Sequence, residues 1–272
     1  MTQSPTPRGT ASPHRGRKHA GKPVPDPRPS TVTSRDLRKV TKATRPDGIA
    51  GFDTCTAPSV KAMRAWHKRY GATGLYIGGS NMACDYGNLN SSWVRTVTQM
   101  GWRLLPVYAG PQAPCYGYGD MIDPKNAASQ GQAAATDAVS QAAALGLPSD
   151  SPVYYDMEGY DEANAGCVSS VLRFLASWTK TLNARGYISG VYSSLDSGVQ
   201  DLRSAAAKHS VAEPQAIWFA QWDGNRTLAK AATFDPPWPV DARVKQYAGP
   251  HWETIGGVTL NIDSDLAGGP PR

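Results

Sequence analysis

The run VYYDMEGY, Val153 to Tyr160, is apolar and aromatic until it meets an Asp-x-Glu pair, Asp156 and Glu158, and it breaks at Gly159. A strand-like run ending in two acids is uncommon, because a carboxylate in an apolar interior is costly unless it is paired or used. On an extended chain, residues i and i+2 share one face with Cα atoms about 7 Å apart, so both acids point the same way. Outward from this run the chain repeats a rhythm. Upstream lie Ile49–Asp53 (IAGFD), Gly74–Gly78 (GLYIG) and Leu104–Ala109 (LLPVYA). Downstream lie Ile188–Ser193, Ala216–Trp222, Val244–Ala248 and Val258–Asp263. Counting the central run, eight strands are predicted.

Helical stretches separate them: Pro58–Tyr70, Ser91–Met100, Asp123–Leu145, Ala163–Arg185 and Asp196–His209. A glycine follows each of the first four (Gly71, Gly101, Gly146, Gly186), where a left-handed residue closes a helix. Alternating strands and helices predict right-handed βαβ units and a parallel sheet. Eight such units fit a single (β/α)8 TIM-like barrel of α/β class, which needs roughly 200 residues or more. Asp223–Arg243 and Gly249–Gly257 leave room for only a turn or a brief helix, so the last units are expected to be shortened. An open doubly wound sheet is the alternative. Against it, no glycine-rich phosphate loop follows the first strand.

The 272 residues carry a net charge of +6, but the charge is unevenly placed. Residues 1–45 hold 11 Lys and Arg against Asp26 and Asp36, more than the whole chain's excess, so residues 46–272 are mildly acidic. The first 30 residues contain seven prolines and no Leu, Ile, Phe, Trp or Tyr. Such a segment cannot offset its chain entropy by burial and is predicted to be a disordered basic tail. It suits either a solvated leader or a tether to an anionic partner. No apolar signal-peptide core follows its basic residues. No run of about 18 apolar residues occurs, so no membrane-spanning helix is expected. Nucleic acid is not an obligatory partner, because the folded part is not basic.

In a parallel barrel the side chains at the carboxyl ends of the strands converge on one rim. Four of the eight strands deliver acids there: Asp53, Asp156 with Glu158, Asp223, and Asp263 with Asp265. Two neighbouring carboxyls that are partly desolvated cannot ionise independently, so one stays protonated beside a charged partner. Glycosidic cleavage needs that equipment: one group protonates the leaving oxygen and another stabilises or attacks the positive carbon. Glu158, with the longer arm, is the candidate acid; Asp156, Asp53 and Asp263 complete the catalytic set. A helix-capping role for the Asp-x-Glu is the plain alternative. Rim aromatics and amides, Tyr108, Tyr155, Tyr192, Gln221, Trp222 and Gln246, are the candidate sugar-binding residues. Trp66, Trp93, Trp102 and Trp178 fall in or beside helices and are read as packing.

Cys55, Cys84, Cys115 and Cys167 lie at or just after strand ends, and three pairings are possible. Neighbouring loops favour Cys55–Cys84 and Cys115–Cys167. An even count at loop positions points to an oxidising, extracellular or cell-wall setting. No Cys-x-x-Cys occurs and the five histidines are scattered, so neither a metal nor any other cofactor is expected. No nucleophile elbow or nucleotide-binding signature is present.

At GFDTC, YIGG, PVYAG, VYYDMEGY, GVYSS, IWFAQWD, KQYA and NIDSD the chain resembles an actinobacterial glycoside-hydrolase-like TIM-barrel domain family typical of secreted proteins. More distantly it is similar to the family 25 glycoside hydrolases, the N-acetylmuramidase lysozymes. The resemblance covers about Pro46 to Ala267. It implies that Glu158 is the general acid, Asp156 its assisting aspartate, Asp53 the first-strand acid and Asp263 the last-strand acid. It further implies a secreted glycosidase whose partner is cell-wall polysaccharide, peptidoglycan above all; a monomer is expected. Here the last strand reads Asn-Ile-Asp-Ser-Asp where the lysozymes carry Asp followed closely by Asn, which leaves Asp265 as an alternative to Asp263. A barrel that binds glycan without cutting it is the alternative function.

Overall fold

The computed structural model describes residues 48–208, 210–228 and 237–268. The predicted tail, residues 1–45, lies outside them, as does His209. In chain order the elements are β1 (Ile49–Asp53), α1 (Val60–Trp66), β2 (Ala72–Gly78), α2 (Ser91–Gln99), β3 (Arg103–Tyr108), α3 (Ala127–Ala144), β4 (Pro152–Asp156) and α4 (Ala165–Ala184). There follow β5 (Ile188–Ser194), a π-helical turn (Leu195–Val199) leading into α5 (Gln200–Ala207), β6 (Ala216–Ala220), a short 3-10 turn (Val240–Ala242), β7 (Arg243–Ile255) and β8 (Val258–Ala267). The eight strands close into one ring in sequence order. The α/β barrel with shortened last units is therefore the fold.

One expectation is corrected. Strands β1 to β7 run parallel, but β8 runs antiparallel to both β7 and β1. The cause is local: Gly256 and Gly257 have φ of 58° and 76°, and Ile255 pairs with Val258 across them. Two consecutive positive φ values make a two-residue hairpin turn, which returns the chain at once instead of carrying it through a helix. Strand β8 therefore enters at the mouth and descends. Asp263 pairs with Asp53 at the rim, and Ala267 pairs with Ile49 at the far end.

The helices follow their boundary signals. Side chains of Ser59, Asn90 and Asn164 accept amide hydrogens from Ala62, Trp93 and Cys167, capping α1, α2 and α4. Left-handed Gly101, Gly146 and Gly186 follow α2, α3 and α4. Gly71 does not share that conformation, since α1 already ends at Trp66.

Strand alternation sorts the apolar residues into two layers. Phe52, Ile77, Tyr155, Val191 and Phe219 face outward and meet Trp66, Trp93, Phe174 and Trp178 from the helices. Leu105, Val107, Tyr154, Trp218 and Val244 fill the lumen. The Trp218 ring has room because Gly74 faces it, where a Cβ would come within 2.6 Å of Trp218 Cη2. Tyr154 and Tyr192 stand edge-on to Trp218 at 5.5 and 5.7 Å between centroids. Those three rings floor the barrel mouth.

Helices α3 and α4 touch backbone to backbone at Gly131, where an added Cβ would run into the Phe174 carbonyl. Gly→Ala inside a helix ordinarily stabilises by about 1 kcal/mol. Gly131→Ala is expected to do the reverse, lowering stability by about 1–3 kcal/mol through overpacking. A shift of the denaturant midpoint to lower concentration with an unchanged slope is the confirming observation.

Candidate active site

The mouth at the carboxyl ends of β1–β7 opens into a cleft of about 290 Å³ whose lining includes Asp53, Tyr76, Asp156, Glu158, Asn261 and Asp263. An adjoining lobe of about 230 Å³ adds Tyr192, Trp218, Trp222 and Gln246. All four expected acids thus come together. Asp53 ends β1, Asp156 ends β4, Glu158 follows two residues later, and Asp263 descends on β8. Asp223, also expected on this rim, turns away and pairs with Lys245 at 2.7 Å.

The placement of Asp156 and Glu158 is fixed by a residue the sequence did not single out. Gln112, buried in the loop after β3, donates from Nε2 to the Asp156 carbonyl (2.8 Å). Its Oε1 accepts the Glu158 amide hydrogen (2.9 Å). The amide side chain thus grips the backbone on both sides of Met157. Asp265 was also underrated. It lies one inward position below Asp263, is 0% exposed, and accepts the Trp218 indole N–H at 3.1 Å.

Burial dominates the electrostatics. It raises the Asp156 carboxyl well above the usual range, with the negative charge of Glu158 adding to it. Glu158 is raised by burial and then by Asp53. Asp263 is pushed up to about 8 by burial, Asp53 and Glu158. Asp265 is raised well above the usual range by burial and Asp53; Asp53 is raised too, by burial, with hydrogen bonds from Gln246 and Asp265 partly offsetting it. The hydrogen bond between the two carboxyls favours the neutral form of Asp265 and the charged form of Asp53.

The expected sugar contacts separate by strand phase. Tyr192, Trp222 and Gln246 line the cleft. Tyr108 and Tyr155 do not, because each is an outward-facing neighbour of inward positions. The Tyr108 hydroxyl donates to Asp137 on α3 (2.8 Å). Tyr155, 0% exposed, packs on Phe174 and Trp178 and donates to the Pro111 carbonyl. Gln221 sits exposed just past β6 and donates its backbone N–H to the Gln246 carbonyl, off the cleft lining. Trp222 is 61% exposed at the cleft edge.

Two disulfides brace the loops around the mouth. Cys55–Cys84 joins the loops after β1 and β2 and forms part of the cleft wall. Cys115–Cys167 ties the loop after β3 to the first turn of α4. Among the described residues no cluster of three or more His, Cys, Asp or Glu is placed to hold a metal, and no helix is long and apolar enough to cross a membrane.

A closed α/β barrel with carboxyls gathered at the strand ends is the layout of a glycoside-hydrolase-like protein. A family model described as Rv2525c-like, glycoside hydrolase-like domain matches residues 63–267, and the chain belongs to that family. Among solved structures it is similar to an uncharacterized B. stearothermophilus protein (22% identity, TM-score 0.55, covering 81% of this chain and 96% of that one). It is similar also to the Tat-secreted Mycobacterium tuberculosis protein Rv2525c, solved in complex with L-tartrate (17%, TM-score 0.55, 80% and 95%). The modular autolysin LytC of Streptococcus pneumoniae shares the fold at 12% identity and TM-score 0.53, in a complex with a synthetic peptidoglycan ligand. That match covers 80% of this chain and 46% of LytC. At these identities the likeness is one of fold. No curated protein matches the chain.

The raised Asp263 gives a stability test. The folded chain holds this proton up to about pH 8, whereas an ordinary Asp releases it near 3.8. The folded state therefore binds more protons in between, so the contribution is fully present below about pH 3.8 and lost as pH rises through about 8. Asp263→Asn is expected to flatten the decline in melting temperature across that window relative to wild type. Superimposable pH profiles of the two proteins would contradict the assignment.

Proposed function

We propose that this protein is a secreted glycosidase acting on cell-wall glycan, with peptidoglycan as the substrate. The observation that carries the reading is the cleft at the barrel mouth, where Glu158 meets Asp156, Asp53 and Asp263 in partly desolvated surroundings. In this reading Glu158 protonates the leaving glycosidic oxygen, for which its raised pKa suits it. Asp53, where hydrogen bonds from Gln246 and Asp265 favour the charged form against the larger effect of burial, is placed to stabilise positive charge developing on the sugar. Water takes the place of the leaving sugar at the anomeric carbon and returns a proton to the site, Asp156 orients the attacking group, and Trp222 and Tyr192 flank the sugar. Membership in a hydrolase-like family and the shared fold of LytC, which has been seen with a peptidoglycan ligand, support the substrate class. The two disulfides and the secreted relative Rv2525c support an extracellular location.

One observation favours a second reading, a barrel that binds glycan without cutting it. Asp156 is buried, its Oδ1 has no hydrogen-bond partner, and its pKa is well raised. A raised Asp156 pKa favours its neutral form, which would be poorly suited to orient or activate an attacking group through its charge.

Reducing ends released from purified peptidoglycan decide between them. Glu158→Gln is expected to lower the release by about 10²–10⁴-fold with little change in melting temperature. Wild-type activity should fall as pH rises through the Glu158 titration, since the acid form is the active one. Binding to peptidoglycan with no release at any pH selects the second reading; a Glu158→Gln variant that unfolds makes Glu158 structural.

A further inference from the structure

Gln246 was expected to touch sugar, but it is 2% exposed and its side-chain amide is fully engaged. Its Nε2 donates to Asp53 Oδ2 (2.9 Å) and to Asp263 Oδ2 (3.2 Å). Its Oε1 accepts from the Tyr192 hydroxyl (3.0 Å) and from the Trp222 indole N–H (2.9 Å). An amide has two donor hydrogens and one oxygen with two lone pairs, so every capacity is filled. The orientation is also fixed. Turning the amide over would set its NH2 against an indole N–H that can only donate, and its oxygen against two carboxyls.

We propose that Gln246 is a positioning residue: it holds the Asp53 and Asp263 carboxyls as a pair and takes its own orientation from Trp222 at the cleft edge. This deepens the glycosidase reading and rests on it for its functional meaning. Asp53 and Asp263 approach from neighbouring strands that pair them directly, and a donor shared between them eases their repulsion whenever both are ionised. The exposed Trp222 ring and the buried acids are thereby one hydrogen-bonded unit, in which a ring at the sugar's edge and the charge on Asp53 are set together.

Asp53 is faced by Asp263 and Asp265 from β8, Asp156 and Glu158 from the end of β4, Tyr76 from β2 and Tyr192 from β5. Its titration must therefore be followed at the residue itself, by carboxyl ¹³C NMR of the substrate-free full chain. Gln246→Met keeps the volume and removes all four hydrogen bonds; it is expected to move the Asp53 midpoint up by about one unit, a tenfold gain in proton affinity. Trp222→Phe keeps a ring at the surface but removes the indole donor; it is expected to move the same midpoint up by a smaller amount. If Trp222 served only as a sugar platform, its replacement would leave the Asp53 titration of substrate-free protein where it was. An unshifted Asp53 in folded Gln246→Met overturns the proposal, and if that variant does not fold, an unshifted Asp53 in Trp222→Phe does so. On peptidoglycan, both variants should lose kcat with KM changed less. A wild type that releases no reducing ends defeats the glycosidase reading but leaves the titrations able to decide the role of Gln246.

Discussion

Carboxyl burial is the constraint around which the barrel mouth is organised. Asp53, Asp156, Glu158, Asp263 and Asp265 converge there, and each has its pKa raised with burial as the first cause. Neither the Arg69–Glu253 nor the Lys245–Asp223 ion pair reaches them. Holding several ionised carboxylates together in a partly desolvated mouth would cost many kcal/mol, which favours retaining protons on some of them. Neutral donors oppose the effect of burial at these carboxyls, each favouring the charged form: Trp218 at Asp265, Gln246 at Asp53 and Asp263, and Tyr76 at Asp156. Much of the surrounding packing follows from supporting these donors. Gly74 makes room for the Trp218 ring, and Gln112 fixes the turn that carries Glu158.

How far the sequence could be read depended on which physical signal it carried. The two-residue strand period put Asp156 and Glu158 on one face, and the barrel keeps them in one cleft. The same period, applied one residue earlier, excludes Tyr155 from that face; grouping aromatics by their nearness to strand ends obscured this for Tyr108 and Tyr155. Strand direction was harder, because an apolar run reads alike in a parallel or an antiparallel partner. The direction of β8 was nevertheless written in Gly256-Gly257, a two-residue hairpin signal that the search for βαβ units passed over. Gln112 and Gln246 carried no such signal. Their roles depend on partners 46 and 193 positions away in sequence, which only the closed ring brings near.

The hairpin also explains how a barrel stays covered where its last helices are missing. Strands β7 and β8 run past the rim, through irregular pairing between Gln246 and His251, and meet α1. There the Trp66 indole donates to the Val258 carbonyl (3.2 Å), and the Tyr70 hydroxyl donates to Glu253 (2.7 Å). Arg69 pairs with the same glutamate at 2.7 Å. A glutamate on one strand thus anchors the hairpin to the turn just after α1. Since Pro250 and Asn261 of this hairpin line the cleft, the same anchoring sets one of its walls.

Under the proposed function, proton retention would bear on the substrate as well as on the acid step. A mouth with five ionised carboxylates would repel an anionic polymer, and peptidoglycan carries carboxylates on its peptide stems. Burial removes that conflict. With Asp265 raised well above the usual range and Asp263 to about 8, the cluster carries far less charge near neutral pH than its composition suggests. In the proposed glycosidase, the burial that raises Glu158 would therefore also lower the electrostatic barrier to an acidic glycan. Exposing the mouth to water would weaken both together, because each depends on the same exclusion of solvent.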